Sequence, residues 1–167
     1  MEYSFDNFNV FNSNKFAYEA CKLTAEELPY SMYNPLYIYG DKGTGKTHLM
    51  KAIVNYIKNN NTGIKVLYLD NDDILKYSKN NIDKIKEILL DYKIIIFDDF
   101  FNTDYDNTLI KDLEMKYCEI FDYLLLNYKS MIFTGNIEIE ELKKIYSELG
   151  PKMEYGLCVK IFPQVNN

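Results

Sequence analysis

The chain has 167 residues, of which 47% are hydrophobic and 16% aromatic. This is enough apolar surface for a folded core and excludes an intrinsically disordered protein. The 19 basic residues, all lysines, are outnumbered by 25 acidic residues, and the net charge of −6 excludes a generally basic, nucleic-acid-binding surface. Cysteines occur only at Cys21, Cys118 and Cys158, in no metal-ligand spacing, which indicates reduced core thiols.

Helices and strands are predicted to alternate along the chain, because the period of the apolar residues changes repeatedly. Helices are predicted over residues 14–27, 46–58, 82–90, 110–128 and 138–147, and strands over residues 36–39, 65–69, 93–97, 131–134 and 156–162. This order predicts an α/β fold with a five-stranded, mostly parallel sheet covered by helices on both faces. We expect residues 1–167 to form a single domain. The sequence has no signal peptide and no run of 18 apolar residues, so we expect a cytoplasmic protein without membrane contact.

Residues 40–47 match the pattern GxxxxGK[ST] of a phosphate-binding loop. The glycines allow backbone N–H groups to turn towards a β-phosphate, Lys46 supplies a cation to the β- and γ-phosphates, and the Thr47 hydroxyl can bind Mg²⁺. A predicted strand precedes the loop and a predicted helix follows it, and the amino end of a helix favours an anion. The predicted nucleotide-binding residues of this loop are Gly40, Lys42, Gly43, Thr44, Gly45, Lys46 and Thr47.

Two carboxylates, Asp98 and Asp99, are predicted to end the strand over residues 93–97. Asp98 would then hold Mg²⁺, directly or through water, and Asp99 would orient or deprotonate the attacking water. An Asp-Asp turn after a strand is common, so this prediction depends on the phosphate loop. Asn136 follows the next strand, where it either senses the γ-phosphate or belongs to a simple turn near a helix cap. The lone His48 is predicted to pack or to orient the loop.

Several segments resemble one known family. The sequences YSFDNF (residues 3–8), SNKFA (13–17), YNPLYIYG (33–40) and GKTHL (45–49) are similar to the AAA+ core of the bacterial replication initiator DnaA. The resemblance extends more loosely to residue 162. It implies an AAA+ type of P-loop NTPase that binds ATP or ADP with Mg²⁺. It also implies that the segment around residues 8–14 wraps the adenine and that Asn136 stands at the sensor 1 position. The nucleotide-binding residues that it adds are Phe8, Val10, Asn14 and His48.

The sequence also departs from the family pattern. Lys152 stands where the family has an arginine that reaches the nucleotide of a neighbouring subunit, and lysine lacks the planar fork of arginine. No counterpart of the family's helical lid or of its origin-binding domain is found, so we expect no sequence-specific DNA binding. The chain between Leu69 and Lys93 is expected to be too short for the pair of helices that contacts single-stranded DNA in initiators. This shortening resembles Hda, a regulatory paralogue, although residues 1–12 lack its clamp-binding motif.

Three functions remain open from the sequence. The first is an ATP-binding protein with weak hydrolysis that acts in or regulates replication initiation, since loss of an arginine in trans costs a factor of about 10³ to 10⁵ in related enzymes. The second is a helicase-loader ATPase similar to DnaC or DnaI. The third is an adaptor that binds nucleotide without turnover. The expected partner is a replication protein, either an initiator or a helicase, with weak self-association at most.

Overall fold

The structure is a computed structural model that describes residues 2–60 and 63–164. Its strands are β1 (Leu36–Tyr39), β2 (Val66–Leu69), β3 (Ile94–Phe101), β4 (Ser130–Gly135) and β5 (Leu157–Lys160). Its helices are α1 (Lys15–Glu27), α2 (Lys46–Asn60), α3 (Asn71–Ser78), α4 (Ile82–Leu90), α5 (Asn107–Leu126), α6 (Ile139–Ile145) and α7 (Leu149–Lys152), and a 3-10 turn spans Met153–Tyr155. Among these residues, none of the helices has the length and apolar character needed to cross a bilayer.

The five strands form one sheet in the order β2-β3-β4-β1-β5, and every pairing in it is parallel. The predicted five-stranded α/β architecture is therefore confirmed. Parallel strands require crossover connections, which the helices provide. The carboxyl ends of all five strands meet at one edge of the sheet, so residues distant in sequence come together there.

Side chains alternate between the two faces of the sheet along each strand. Helices cover both faces, so the side chains on both are buried. In β3, Ile94 and Ile96 face α1 and α2, whereas Ile95 and Phe97 face the layer that contains α3 to α7. The Phe97 ring stacks on that of Phe133 in β4, with centroids 4.6 Å apart. Burial on both faces explains why β3 begins as a continuous apolar run.

Strand β3 does not end at residue 97 as predicted but continues to Phe101. Its register with β4 shifts between Phe97 and Phe101, and Asp99 has a φ of 59° in the left-handed region. This irregularity turns the chain locally, as a β-bulge does. Phe100 and Phe101 are consequently returned to the core, where both are fully buried. The two aspartates thus lie within a bulged strand.

Two helices, α3 and α4, lie between β2 and β3, where we predicted one helix and too little chain for a pair. That expectation is wrong, because each helix needs only a few residues when it is well capped. Asp70 accepts a hydrogen bond of 3.0 Å from the N–H of Asp73, and Asn81 accepts one of 2.8 Å from Asp83. Only Ile74 of α3 is buried, so this helix lacks the apolar stripe that reveals a helix in sequence.

The remaining predicted elements are confirmed, with ends that differ by three residues or fewer. The short helix α7 and the 3-10 turn after it were not predicted. Cys21 is buried as expected, whereas Cys118 and Cys158 are half-buried, and all three thiols are free.

Candidate nucleotide site

The phosphate loop connects β1 to α2 at the carboxyl edge of the sheet, and its path depends on glycine. Gly40 has a φ of 154°, and a Cβ atom there would lie 2.2 Å from the carbonyl oxygen of Ile161. Gly45 has a φ of 102°, and a Cβ atom there would lie 2.8 Å from the ring of Phe8. Larger residues would therefore displace Ile161, which follows β5, and the N-terminal segment (residues 2–14) from the loop.

Lys46 is folded into the loop rather than exposed. Its side chain is nearly buried, and its Nζ donates hydrogen bonds to the carbonyl oxygens of Gly40 (2.6 Å) and Asp41 (2.7 Å). Burial lowers the pKa of Lys46, and the charges of Asp99 and Asp98 oppose this effect. The loop therefore holds a cation at its centre, next to the first turn of α2.

Two clefts adjoin this loop. The first is lined by Lys42, Gly43, Gly45, Lys46, Thr47 and Asp99. The second, on the side of the N-terminal segment, is lined by Asn7, Phe8, Asn9, Phe11, Asn14, Lys42, Gly43, Thr44, Gly45, His48, Phe162, Pro163 and Gln164. Because the clefts share Lys42, Gly43 and Gly45, they form a continuous track along the loop. Most predicted nucleotide-binding residues line this track, but Gly40 and Val10 belong to neither set, and Val10 is 42% exposed.

The N-terminal segment has a defined shape because Asn14 organises it. The Oδ1 atom of Asn14 accepts the N–H of Phe11 at 2.8 Å, and its Nδ2 donates to the carbonyl of Asn9 at 3.0 Å. Its side-chain oxygen and amide nitrogen are thus both used within the segment, and the residue is buried. Asn14 shapes the second cleft through these internal bonds.

His48 fastens this segment to α2. Its Nε2 lies 2.9 Å from the carbonyl oxygen of Ser4, and its ring makes edge contacts with the rings of Tyr3 and Phe8, at 5.0 and 5.1 Å between centroids. Phe8 also stacks on Tyr18 of α1. This arrangement agrees with the packing and orienting role predicted for the histidine.

Asp98 and Asp99 point in different directions. Asp98 is buried, and its carboxylate accepts hydrogen bonds from the hydroxyls of Thr134 (2.6 Å) and Tyr68 (2.5 Å), which lie on the strands at either side. Asp99 instead lines the first cleft with Lys46. Sequence reasoning missed Tyr68 and Thr134, although each is a polar residue near the carboxyl end of a strand beside β3.

The environment of Asp99 increases its affinity for a proton. Burial raises its pKa most, the charge of Asp98 adds to this effect, and Lys46 and Lys42 oppose it. Asn102 donates a hydrogen bond of 3.0 Å to Asp99 Oδ2, which also opposes the increase. A carboxylate with a raised pKa is a better proton acceptor, so Asp99 is suited to act on a water molecule in the cleft.

Asn136 contacts the loop that follows β3. Its Oδ1 accepts the backbone N–H of Thr103 at 3.0 Å, and its Nδ2 lies 3.1 Å from Thr103 Oγ1. It stands two residues before Glu138, the N-cap position of α6, but its side chain binds the loop rather than the helix. The residues that line the two clefts do not include Asn136.

The residues around the first cleft suit Mg²⁺. Mg²⁺ prefers oxygen donors. Thr47 and Asp99 line the first cleft and offer such oxygens, whereas Asp98 does not line it and its two carboxylate oxygens accept hydrogen bonds from Thr134 and Tyr68. Within residues 2–60 and 63–164, no group of three or more His, Cys, Asp or Glu side chains could hold a metal ion alone. In phosphate-loop sites, Mg²⁺ also takes ligands from the nucleotide phosphates.

The side chain of Lys152 contacts other residues of its own chain. Its Nζ lies 2.6 Å from Asp122 of α5 and near the rings of Phe121 and Tyr155, at 5.6 and 5.9 Å from their centroids. Burial lowers the pKa of Lys152, but the hydrogen bond and charge of Asp122 outweigh this effect and raise it. The lysine is thus fully engaged within this chain.

Comparison with known sequences gives a consistent result. Residues 1–160 match the protein family described as the bacterial DnaA ATPase domain. DnaA of Onion yellows phytoplasma is 38% identical over 96% of this chain and 32% of the relative. DnaA of Acholeplasma laidlawii is 35% identical over 95% of this chain and 36% of the relative. The chain therefore spans about a third of the length of these curated relatives.

Solved structures show the same similarity. AMPPCP-bound DnaA from Aquifex aeolicus is 30% identical, with a TM-score of 0.78 over 96% of this chain and 50% of that one. Domain III of Thermotoga maritima DnaA is 29% identical, with a TM-score of 0.81 over 98% of this chain and 68% of that one. DnaI is 18% identical, with a TM-score of 0.74 over 98% of this chain and 89% of that one, which shows the shared fold alone.

Proposed function

Because the chain belongs to the bacterial DnaA ATPase domain family, we propose that it is an ATP- and ADP-binding AAA+ domain that acts in replication initiation. The observation that carries this proposal is the continuous track of two clefts along the phosphate loop. The triphosphate would follow the loop between Lys46 and Asp99, and the base would lie towards Phe8. The AMPPCP-bound DnaA relative supports the same type of ligand.

The roles proposed for the site residues follow from their positions. Lys46 binds the β- and γ-phosphates from inside the loop. Thr47 would hold Mg²⁺, which neutralises phosphate charge when bound, and Asp98 would hold it through water, because both of its oxygens already accept hydrogen bonds. Asp99 accepts a proton from the attacking water. Asn136 acts on this site through Thr103 and the loop after β3, because its side chain binds that loop.

We propose that hydrolysis is weak. The 167 residues contain no arginine, and Lys152 is paired with Asp122 of its own chain. An arginine that stabilises the charge of the transition state accelerates related reactions by about 10³ to 10⁵. Without such a group, ATP acts more as a conformational ligand than as a fuel.

The partner is proposed to be a replication protein, with a full-length initiator as the first candidate. The DnaA-like segments at the start of the chain favour this partner. The fold shared with DnaI and DnaC keeps a helicase partner as the second candidate. Affinity capture with purified initiator and purified helicase distinguishes the two, since each candidate predicts retention of one protein only.

Calorimetric titration with Mg·ATP and Mg·ADP tests the nucleotide site. We expect micromolar binding by the wild type and its loss in Lys46→Ala. A matched control is Lys58→Met, because Lys58 lies in the last turn of α2, about 18 Å along the helix from Lys46. Absence of binding by the folded wild type would refute the proposed site. ATP turnover that disappears in Asp99→Asn would exclude an adaptor without hydrolysis.

A further inference from the structure

The phosphate loop carries a second lysine, Lys42, at a position that the loop pattern leaves free. Lys46 is buried in the loop, but the side chain of Lys42 is 65% exposed. Its Nζ lies 2.5 Å from Asp104 Oδ2, and Asp104 is equally exposed. The ion pair thus joins the phosphate loop to the loop after β3, across 62 residues of sequence.

Asp104 is held in place by the same loop that contacts the proposed catalytic residues. Its backbone N–H donates to Asn102 Oδ1 at 3.0 Å, and Asn102 in turn donates to Asp99. The neighbouring Thr103 is bound by Asn136. The backbone of Asp104 is therefore fixed, and its carboxylate contacts Lys42, which lines the first cleft.

Lys42 is within reach of that cleft. It lines both clefts of the track, and its charge is close enough to lower the pKa of both Lys46 and Asp99. A lysine side chain is a point charge on a flexible four-carbon stem, so it can change partner without a change of backbone. An exposed ion pair contributes little to stability, so separating Lys42 from Asp104 costs little.

We propose that Lys42 exchanges Asp104 for the terminal phosphate of a nucleoside triphosphate, and that this exchange makes the site selective for triphosphate over diphosphate. The inference rests on the proposed nucleotide site. A terminal phosphate carries more charge than a carboxylate and offers several acceptor oxygens, so it competes effectively for the ammonium group. A diphosphate has no γ-phosphate, so when it is bound Lys42 stays on Asp104. The 167 residues contain no arginine. The exchange instead places a lysine of the same subunit at the terminal phosphate.

A double-mutant cycle tests the exchange, with Kd values for Mg·ATP and Mg·ADP measured by calorimetry. We expect Lys42→Met to weaken ATP binding roughly 10-fold, the effect of one hydrogen bond to a charged group, and to change ADP binding by less than about 2-fold. Asp104→Asn keeps the backbone hydrogen bond to Asn102 and frees Lys42. It should strengthen ATP binding about 2- to 5-fold, the range of exposed ion pairs, and have no effect in the Lys42→Met background.

The controls separate this inference from the proposed function. Lys58→Met removes the same charge far from the cleft and should leave both Kd values unchanged. If Lys42→Met weakens ATP and ADP equally while Lys46→Ala abolishes both, the selectivity is refuted and the nucleotide site remains. Weaker ATP binding by Asp104→Asn would also refute the exchange. If the wild type binds neither nucleotide, both the exchange and the proposed nucleotide site are refuted. Circular dichroism checks that all variants remain folded, above all Lys46→Ala, because Lys42, Lys58 and Asp104 are exposed whereas Lys46 is buried.

Discussion

The hydroxyl of Thr134 donates a hydrogen bond of 2.6 Å to the carboxylate of Asp98, although 36 residues separate them in sequence. The same oxygen accepts the backbone N–H of Asp99 at 2.7 Å. Thr134 is fully buried on β4, next to β3. The Thr134 hydroxyl therefore orients the buried carboxylate of Asp98. It also holds the left-handed backbone of Asp99, which directs the Asp99 carboxylate into the first cleft.

Thr134→Val should destabilise the fold by about 1–3 kcal/mol, because the backbone N–H of Asp99 and one oxygen of the buried Asp98 carboxylate lose their hydrogen-bond partner, although Tyr68 still donates to Asp98. Hydrolysis should also slow, since Asp99 loses the contact that sets its direction. Urea unfolding measures the first effect and phosphate release the second. Thr134→Ser keeps the hydroxyl, so its stability and its rate of hydrolysis should both be close to those of the wild type. A valine variant as stable as the wild type would contradict this account.

Asp99→Asn should stabilise the protein at neutral pH while it abolishes hydrolysis. Burial and the charge of Asp98 raise the pKa of Asp99 above the 3.8 of an unperturbed aspartate. The folded state then binds the proton more tightly than the unfolded state, so stability falls as pH rises through the interval between these pKa values. Asparagine removes this cost and also tolerates a positive φ.

The expected gain is roughly 0.5–1 kcal/mol at pH 7, because Asp99 is only half-buried and solvent screens its charge. The gain should shrink below about pH 4, where the wild-type carboxyl is protonated in both states. Urea unfolding at several pH values measures it. The matched control is Asp112→Asn on the exposed side of α5. A pH-independent gain would contradict the electrostatic explanation.

His48→Phe should loosen the N-terminal segment without disturbing α2. Phenylalanine keeps the ring contacts with Tyr3 and Phe8 but loses the hydrogen bond to Ser4. One such bond corresponds to about a 5-fold change in local opening. Hydrogen exchange followed by mass spectrometry should show faster exchange over residues 3–8 and unchanged exchange in α2. Equal exchange in the segment would show that the rings alone hold it.

Gly135→Ala should cost about 2–3 kcal/mol, the scale of an overpacked core. A Cβ atom at this position would lie 2.3 Å from the carbonyl oxygen of Phe101 and 2.7 Å from its Cβ atom. Gly63→Ala is the control, because a Cβ atom there has no atom of residues 2–60 or 63–164 within 4 Å and its φ of 108° is the unfavourable feature. Denaturant unfolding compares the two variants, and equal costs would argue against a steric clash at Gly135.

Lys152→Met should change ATP turnover per molecule by less than about 2-fold, because the pair with Asp122 engages the lysine within one chain. Turnover should also be independent of protein concentration. Steady-state phosphate release over a wide range of concentrations measures both. A turnover that rises with concentration in the wild type and falls about 10-fold in the variant would place Lys152 at a neighbouring subunit's nucleotide.

The sequence by itself determined the parts of this protein that depend on local order. The run from Ile94 to Phe97 is apolar at every position, so a strand buried on both faces was predictable. The phosphate loop was predictable because its backbone geometry requires glycine at fixed spacing before Lys46. Five strands in alternation with helices then predicted a parallel sheet, since parallel strands need crossovers.

Only the tertiary structure decided which side chains meet. The contacts of Asp98 with Tyr68 and Thr134 depend on the register of three strands, and the pair of Lys42 with Asp104 on how two loops approach each other. Val10, expected to bind nucleotide, lies outside the clefts. Hydrogen bonds and ion pairs act over a few ångströms. Their partners are therefore set by packing between distant segments, which a local pattern does not encode.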